Sequence, residues 1–340
     1  GGVAAGDVNG DGRVDLFFTS GPSQNRLFVQ TAPWRFEDRT AAAGLLGGDA
    51  WSTGSAFADV DGDDDLDLYV CNYDAPNQLF LNDGRGRFRA AADGAGLAIA
   101  DASLMPAFHD FDGDGALDLF LLTYRFYREG GRPLEVPAEV GPDGVARIKP
   151  EYERYYALTP RGPNKVGINA YGRDDRLLRN RGDGTFEDVS EEAGVTGHGH
   201  GLSAVWWDFN RDGRPDLFVG NDFDDPDRLF ENNGDGTFSN VLAEAFPQTS
   251  WFTMGAAAGD LTGDGWPELL ALDMAGTTHF KQKTTMGVMN VAKLAAVAGP
   301  PPQIMRNALL VNTGTGRFME GAYLAGMAAS DWSWSARFLD

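Results

Sequence analysis

Asp110-Phe-Asp112-Gly-Asp114-Gly-Ala116-Leu-Asp118 is one of five nine-residue acidic loops in this chain of 340 residues. The others are Asp7-Val-Asn9-Gly-Asp11-Gly-Arg13-Val-Asp15, Asp59-Val-Asp61-Gly-Asp63-Asp64-Asp65-Leu-Asp67, Asp208-Phe-Asn210-Arg-Asp212-Gly-Arg214-Pro-Asp216 and Asp260-Leu-Thr262-Gly-Asp264-Gly-Trp266-Pro-Glu268, and a sixth begins at Asp340. Oxygen-bearing side chains at positions 1, 3, 5 and 9, a main-chain carbonyl at position 7 and a turn-making Gly at position 6 describe a hard-oxygen cage suited to calcium. The position-7 carbonyls belong to Arg13, Asp65, Ala116, Arg214 and Trp266. Four loops keep the Gly, at Gly12, Gly115, Gly213 and Gly265, and the second has Asp64 instead. A bare Asp-Gly turn needs only two such residues, and these loops carry three to five.

An EF-hand needs a Glu at position 12 and flanking helices. Position 12 is Phe18, Val70, Leu121, Val219 and Ala271, which excludes it. The flanks, such as Leu16-Phe17-Phe18, are short, apolar and bounded by turns, so each loop is expected to join two strands around an ion. The fifth loop, with Thr262 and Glu268, has the weakest ligand set.

The first Asp of each loop falls at 7, 59, 110, 208, 260 and 340, so a unit of about 50 residues recurs with two units enlarged. After each metal loop comes a second strand pair, as in Asn77-Gln-Leu-Phe-Leu-Asn82 and Phe88, with a Gly-rich hairpin turn such as Asn232-Asn-Gly-Asp-Gly-Thr-Phe238. Four antiparallel strands per unit predict an all-β propeller. The expected blades are 1–50, 51–101, 102–200, 201–251 and 252–330, with the next starting at 331 and the propeller incomplete at its C-terminal end. Extra residues at 125–173 and 276–306 fall between the second and third strands of their blades, on the face opposite the metal loops.

The unit resembles the FG-GAP/VCBS repeat of integrin α-subunit propellers and many bacterial surface proteins. It is similar above all to the ASPIC/UnbV (cartilage acidic protein-like) group. The residues that carry this are Asn221-Asp222-Phe223 leading to Asn232–Phe238, Leu272-Asp273-Met274, Met305-Arg306-Asn307 and Asp331-Trp332-Ser333-Trp334. The group's C-terminal domain is absent from these residues. The resemblance implies a propeller that commonly closes with seven blades.

Net charge is -22, which argues against nucleic acid as a partner. Seventeen of the negatives are loop ligands. The two insertions together carry +7 and the remainder -29, so the insertion face is the expected surface for a protein or glycan partner, an acidic one included. Tyr152, Tyr155 and Tyr156 suit stacking on carbohydrate or covering the central opening. Thr284 to Ala298 has Met286, Met289, Leu294 and Val297 at helical spacing.

Weak calcium loops need millimolar calcium, so the expected compartment is extracytoplasmic: secreted, periplasmic or cell surface. Cys71 is the sole cysteine, and no apolar run is long enough to span a membrane. The first residues already read as strand and the last opens a motif, as in an interior segment of a longer protein. No G-x-S-x-G, H-E-x-x-H or phosphate loop is present. His198 and His200 read as part of a Gly-rich turn before Val205-Trp206-Trp207. The expected function is a non-catalytic propeller with about five calcium ions that binds or scaffolds a macromolecule. Its rivals are a structural subunit of a larger surface or membrane-associated assembly, and a carbohydrate-active or ester-cleaving enzyme built on Glu151, Glu153, Asp174 and Asp175.

Overall fold

The computed structural model describes residues 2–46, 50–160, 166–222, 225–285 and 301–338. Within them stand five antiparallel four-stranded blades. From inner to outer strand the first is Val3–Gly6, Asp15–Phe18, Arg26–Ala32 and Arg35–Asp38. The second is Trp51–Ala58, Asp67–Pro76, Gln78–Asn82 and Phe88–Ala90, and the third Ala100–His109, Asp118–Thr123, Arg176–Asn180 and Phe186–Asp188. The fourth is Gly201–Trp207, Asp216–Asn221, Arg228–Asn232 and Phe238–Asn240, and the fifth Gly255–Gly259, Glu268–Leu272, Ala308–Asn312 and Phe318–Glu320. Inner strands neighbour one another in chain order, the arrangement of propeller blades around an axis. Close approach there needs glycine. A Cβ on Gly54 would lie 2.3 Å from the Leu104 carbonyl oxygen of the third blade.

The core lies between blades rather than within any one of them. Because strand side chains alternate between faces, the second strand of each blade feeds two interfaces. Leu217 and Val219 pack with Phe120, Leu122 and Leu177 of the third blade, whereas Phe218 packs with Leu269, Ala271 and Leu310 of the fifth. In the second to fifth blades these strands are buried on both sides, which explains their unbroken apolar runs, whereas in the first blade Phe18 is exposed. The last interface, formed by Ala257, Leu270 and Leu309, is covered by Ala328, Ala336 and Phe338. The Trp334 carbonyl lies 2.5 Å from where a Gly255 Cβ would stand, so residues 334–338 run where the next inner strand belongs. Asp340 lies outside the described residues.

All nine-residue loops lie at one end of the blades, between inner and second strands, and the third-to-outer hairpins share that end. The insertions leave from the other end. The first forms hairpins Ala138–Val140 with Ala146–Ile148 and Tyr156–Pro160 with Val166–Ala170. In the second, a helix spans His279–Thr285, and Met286, Met289, Leu294 and Val297 lie outside the described residues.

Gly12, Gly115, Gly213 and Gly265 all adopt positive φ, between 82° and 92°, as the position-6 turn requires. Asp64 is forced to φ 67° at the same place and its side chain is exposed. Asp64→Gly is therefore expected to stabilise the protein by about 1 kcal/mol. A shift in denaturant midpoint checks this, with the mirror change Gly115→Ala expected to destabilise.

Candidate metal centres and the staples between them

Each loop folds around its own carboxylates. The position-1 side chain accepts N–H groups from the turn: Asp110 Oδ1 from Gly113 at 2.7 Å and Oδ2 from Gly115 at 2.9 Å, as Asp208 does from Asp212 and Gly213 at 3.1 and 2.8 Å. Position 9 is buried and ties the loop to the sheet. Asp118 accepts the Phe111 N–H at 3.0 Å and the Asn180 N–H at 2.8 Å, and Asp15, Asp67 and Asp216 repeat the pattern. Burial raises these position-9 carboxyls, Asp67 to about 6 and Asp118 and Asp216 to about 7, against the opposing pull of their two N–H donors. Asp15 is raised by the same cause. Burial first, then a neighbouring carboxylate, also raises Asp61 and Asp112.

The five loops divide by side-chain chemistry. In the second and third, Asp59, Asp61 and Asp67, and likewise Asp110, Asp112 and Asp118, each offer an oxygen with all three within 4.8 Å of one another. Among the described residues Asp61 Oδ1 is buried with no hydrogen-bond partner, an orphaned acceptor beside two more carboxylates. A crowded, hard, anionic oxygen set fits a divalent cation such as calcium. Position 5 stands outside these groups: Asp63 and Asp114 accept the N–H of Asp65 and Ala116 at 3.0 and 2.8 Å.

The first and fourth loops hold an amide at position 3, and Asn9 and Asn210 Oδ1 accept the N–H of Asp11 and Asp212. Their position-7 arginines do more than present a carbonyl. Arg13 pairs with Asp11 at 2.7 Å and Arg214 with Asp212, while their Nε atoms donate to the Gln30 and Asn232 carbonyls at 2.9 Å. A fixed guanidinium thus neutralises the position-5 carboxylate in these two loops. In the fifth, Glu268 is fully buried and accepts the Leu261 and Thr262 N–H groups. Asp260 caps its turn as position 1 does elsewhere, and Asp264 accepts the Trp266 N–H at 2.9 Å.

Sequence reasoning missed the residues that join the loops. The third strand ends in Asn82, Asn180, Asn232 or Asn312, whose Nδ2 reaches the position-2 carbonyl of the preceding blade's loop: Val8, Val60, Phe111 and Phe209, at 2.8–2.9 Å. The same amide holds its own loop through the position-8 carbonyls of Leu66, Leu117, Pro215 and Pro267. At the other end, Asn25, Asn77, Asp175, Asp227 and Asn307 accept an N–H from the exit of the second strand. Four of them continue to a hydroxyl beyond their own blade's strands: Ser52, Ser103 and Thr253 in the next repeat and Ser330 at the end of the fifth, at 2.8–3.0 Å. Their signal was legible as Asn/Asp-x-Leu-Phe/Leu-x-Asn/Gln at 25–30, 77–82, 175–180, 227–232 and 307–312.

On the insertion face, Asp175 is buried beneath Thr123, and Asp174 pairs with His198 at 2.7 Å. Glu151 and Glu153 are exposed on a short turn. His198 lies in a two-residue strand paired with Arg173–Asp174, and His200 Nδ1 meets Asp225. Cys71 is buried, which pushes its thiol up.

The FG-GAP-like repeat model matches residues 7–70, 61–121, 166–219 and 208–271. Human cartilage acidic protein 1 is 26% identical over 305 residues, 73% of this chain and 43% of that protein, and the mouse protein is equally similar. The Xenopus tropicalis protein is 38% identical over 78 residues. The chain thus spans less than half the length of these relatives. A solved structure of an Agrocybe aegerita lectin recognising non-reducing terminal N-acetylglucosamine overlaps 93% of this chain and 77% of that one, at 16% identity and a TM-score of 0.37, too loose to bear on function. Loops, blades and repeats agree: the chain belongs to the FG-GAP-like repeat family and is homologous to cartilage acidic protein 1.

Proposed function

We propose that this chain is a non-catalytic, calcium-stabilised, extracytoplasmic propeller whose insertion face binds a protein or glycan partner. The observation that carries the calcium reading is the pair of three-carboxylate groups, one of them with the orphaned Asp61 oxygen. Bound calcium supplies positive charge among these carboxylates. The protein's part is to hold Asp59, Asp61 and Asp67, or Asp110, Asp112 and Asp118, at the mouth of a buried strand and to pass that order to the preceding blade through Asn82 and Asn180. The reading extends to the other three loops with an amide or hydroxyl oxygen at position 3.

Loops of this ligand charge work at the millimolar calcium found outside cells. The relatives' name refers to cartilage, an extracellular tissue. Among the described residues no helix is long and apolar enough to cross a membrane. Most buried carboxylates are engaged in loops and staples, Asp175 among them, and Asp174 pairs with His198, which supports a binding role over turnover.

Calorimetric titration of calcium into chelated protein tests this. Several saturable events are expected, with one weakened when Asp61 is replaced by Asn. Absence of binding heat, or turnover of a glycoside or ester panel that is lost on substituting Asp174 or Glu151, overturns the proposal.

A further inference from the structure

We propose that the first insertion forms a pocket for an acidic saccharide, a sugar ring bearing a carboxylate, with Arg128 and Arg132 as its anion-binding groups. The inference rests on the binding-module reading and names the ligand class of its insertion face. A concave cavity of about 360 Å³ is lined by Arg125, Arg128, Arg132, Tyr127, Tyr155 and Tyr156 among others, within the usual size of small-ligand sites.

The pocket is built on a fixed floor. Phe126 is buried, with the Arg154 guanidinium 3.8 Å and that of Arg173 5.3 Å from its ring centre. Arg173 binds both oxygens of Asp101, at 2.8 and 3.0 Å, and Arg154 pairs with Asp74, so the insertion is anchored to the second and third blades. The Tyr127 N–H donates to the Tyr73 hydroxyl, bringing the second blade's aromatic ring under the pocket's edge.

Among the described residues, Lys149 is matched by Glu135 and Arg147 by Asp143 elsewhere in the insertion. Arg128 and Arg132 at the pocket differ. Arg128 donates to the carbonyls of Glu129 and Gly131 at 3.2 Å and stands 5.7 Å over Tyr152. Arg132 is exposed, and among the described residues neither it nor Arg128 forms an ion pair with a carboxylate. In a chain of net charge -22, Arg128 and Arg132, neither in an ion pair among the described residues, make this cavity a local reversal of sign. A guanidinium presents paired donors that match a planar carboxylate. Tyr155 and Tyr156 supply amphipathic walls for a sugar ring and its hydroxyls.

A small acidic ring fits this better than an acidic protein surface. Screening confines the attraction to about 8 Å at physiological salt, whereas a broad partner would also meet the strongly acidic remainder of the chain.

The test compares cellobiouronic acid, its neutral counterpart cellobiose and a hexaglutamate peptide by calorimetry on the calcium-loaded chain at fixed free calcium. Cellobiouronic acid should saturate, and cellobiose should bind at least about tenfold more weakly. Arg132→Ala and Arg128→Ala should each weaken the acid at least about tenfold, and Tyr155→Ala should weaken both sugars. Because Arg132 is exposed, its variant should keep the parent melting temperature, which separates lost binding from lost fold. The inference is overturned by absence of saturation, by equal affinity for cellobiose, by unchanged affinity in Arg132→Ala, or by tighter binding of the peptide. The calcium titration, run on the same sample, shows whether such a failure belongs to this pocket alone or to the wider reading.

Discussion

Asn232→Ala is expected to lower the unfolding free energy by about 3 kcal/mol, while Asn233→Ala, one residue away on the exposed hairpin, should change it by less than about 0.5 kcal/mol. The Asn232 side chain donates to Phe111 of the third blade's loop at 2.8 Å and to Pro215 of its own at 3.2 Å, and accepts the Gly234 N–H at 2.9 Å. Alanine leaves these groups unpaired at a junction where the Asn itself is 1% exposed. Each buried polar group without a partner costs about 1–3 kcal/mol, and partial access of water to the loop carbonyls keeps the sum near the low end. Asn180→Ala removes the equivalent link to Val60 and should behave alike. Urea unfolding measures both. If Asn232→Ala unfolds at the parent midpoint, the amide is not what couples neighbouring loops. The same variant should weaken calcium binding at two loops rather than one, since the amide touches both.

The second large expected effect is a pH dependence that calcium should reverse. Asp118, Asp216, Asp175 and Asp227 are each raised to about 7 and Asp67 and Asp273 to about 6, in every case first by burial. Their unfolded-state values lie near 4, so between about pH 4 and 7 the folded protein holds protons that the unfolded chain has released. Raising pH through that window therefore favours unfolding, by about 1.4 kcal/mol per unit for each group at most. Below it both states are protonated, and above it both are ionised, so the slope vanishes at either side. Metal-free protein should be most stable near pH 4, at the foot of that window, and lose on the order of several kcal/mol by pH 8. Calcium favours ionised loop carboxylates, so saturating calcium should flatten or invert the profile, and its binding at pH 6.5 should release protons. Melting temperatures across pH 4.5–8, with and without a chelator, decide this. A metal-free profile that rises with pH would refute it. Asp227→Asn, at the end remote from the loops, should remove its share of the slope and leave calcium affinity unchanged.

Much of this protein is local in sequence. The Asp-x-Asp-x-Asp-Gly spacing sets an Asx-rich turn whose carboxylate takes nearby N–H groups, and Asp110 needs only residues three and five ahead to do so. Apolar runs on both sides, recurring near every 50 residues, are enough to specify strand, loop, strand and hairpin. The acidic loops, the order of the strands and the place of both insertions follow from these short-range regularities.

What tertiary structure alone decides are the relations between repeats. That Asp61 carries an orphaned oxygen while Asp63 turns to its own backbone, that Arg13 and Arg214 fold onto Asp11 and Asp212, and that Asn232 reaches Phe111 across 121 positions of chain depend on how one sheet faces the next. The basic, tyrosine-lined cavity arises the same way, from an insertion folded back onto two blades through Arg173 and Arg154. Sequence spacing specifies contacts within a few residues because the backbone geometry there is nearly fixed. Contacts between blades depend on burial, and burial is created only when the sheets pack together.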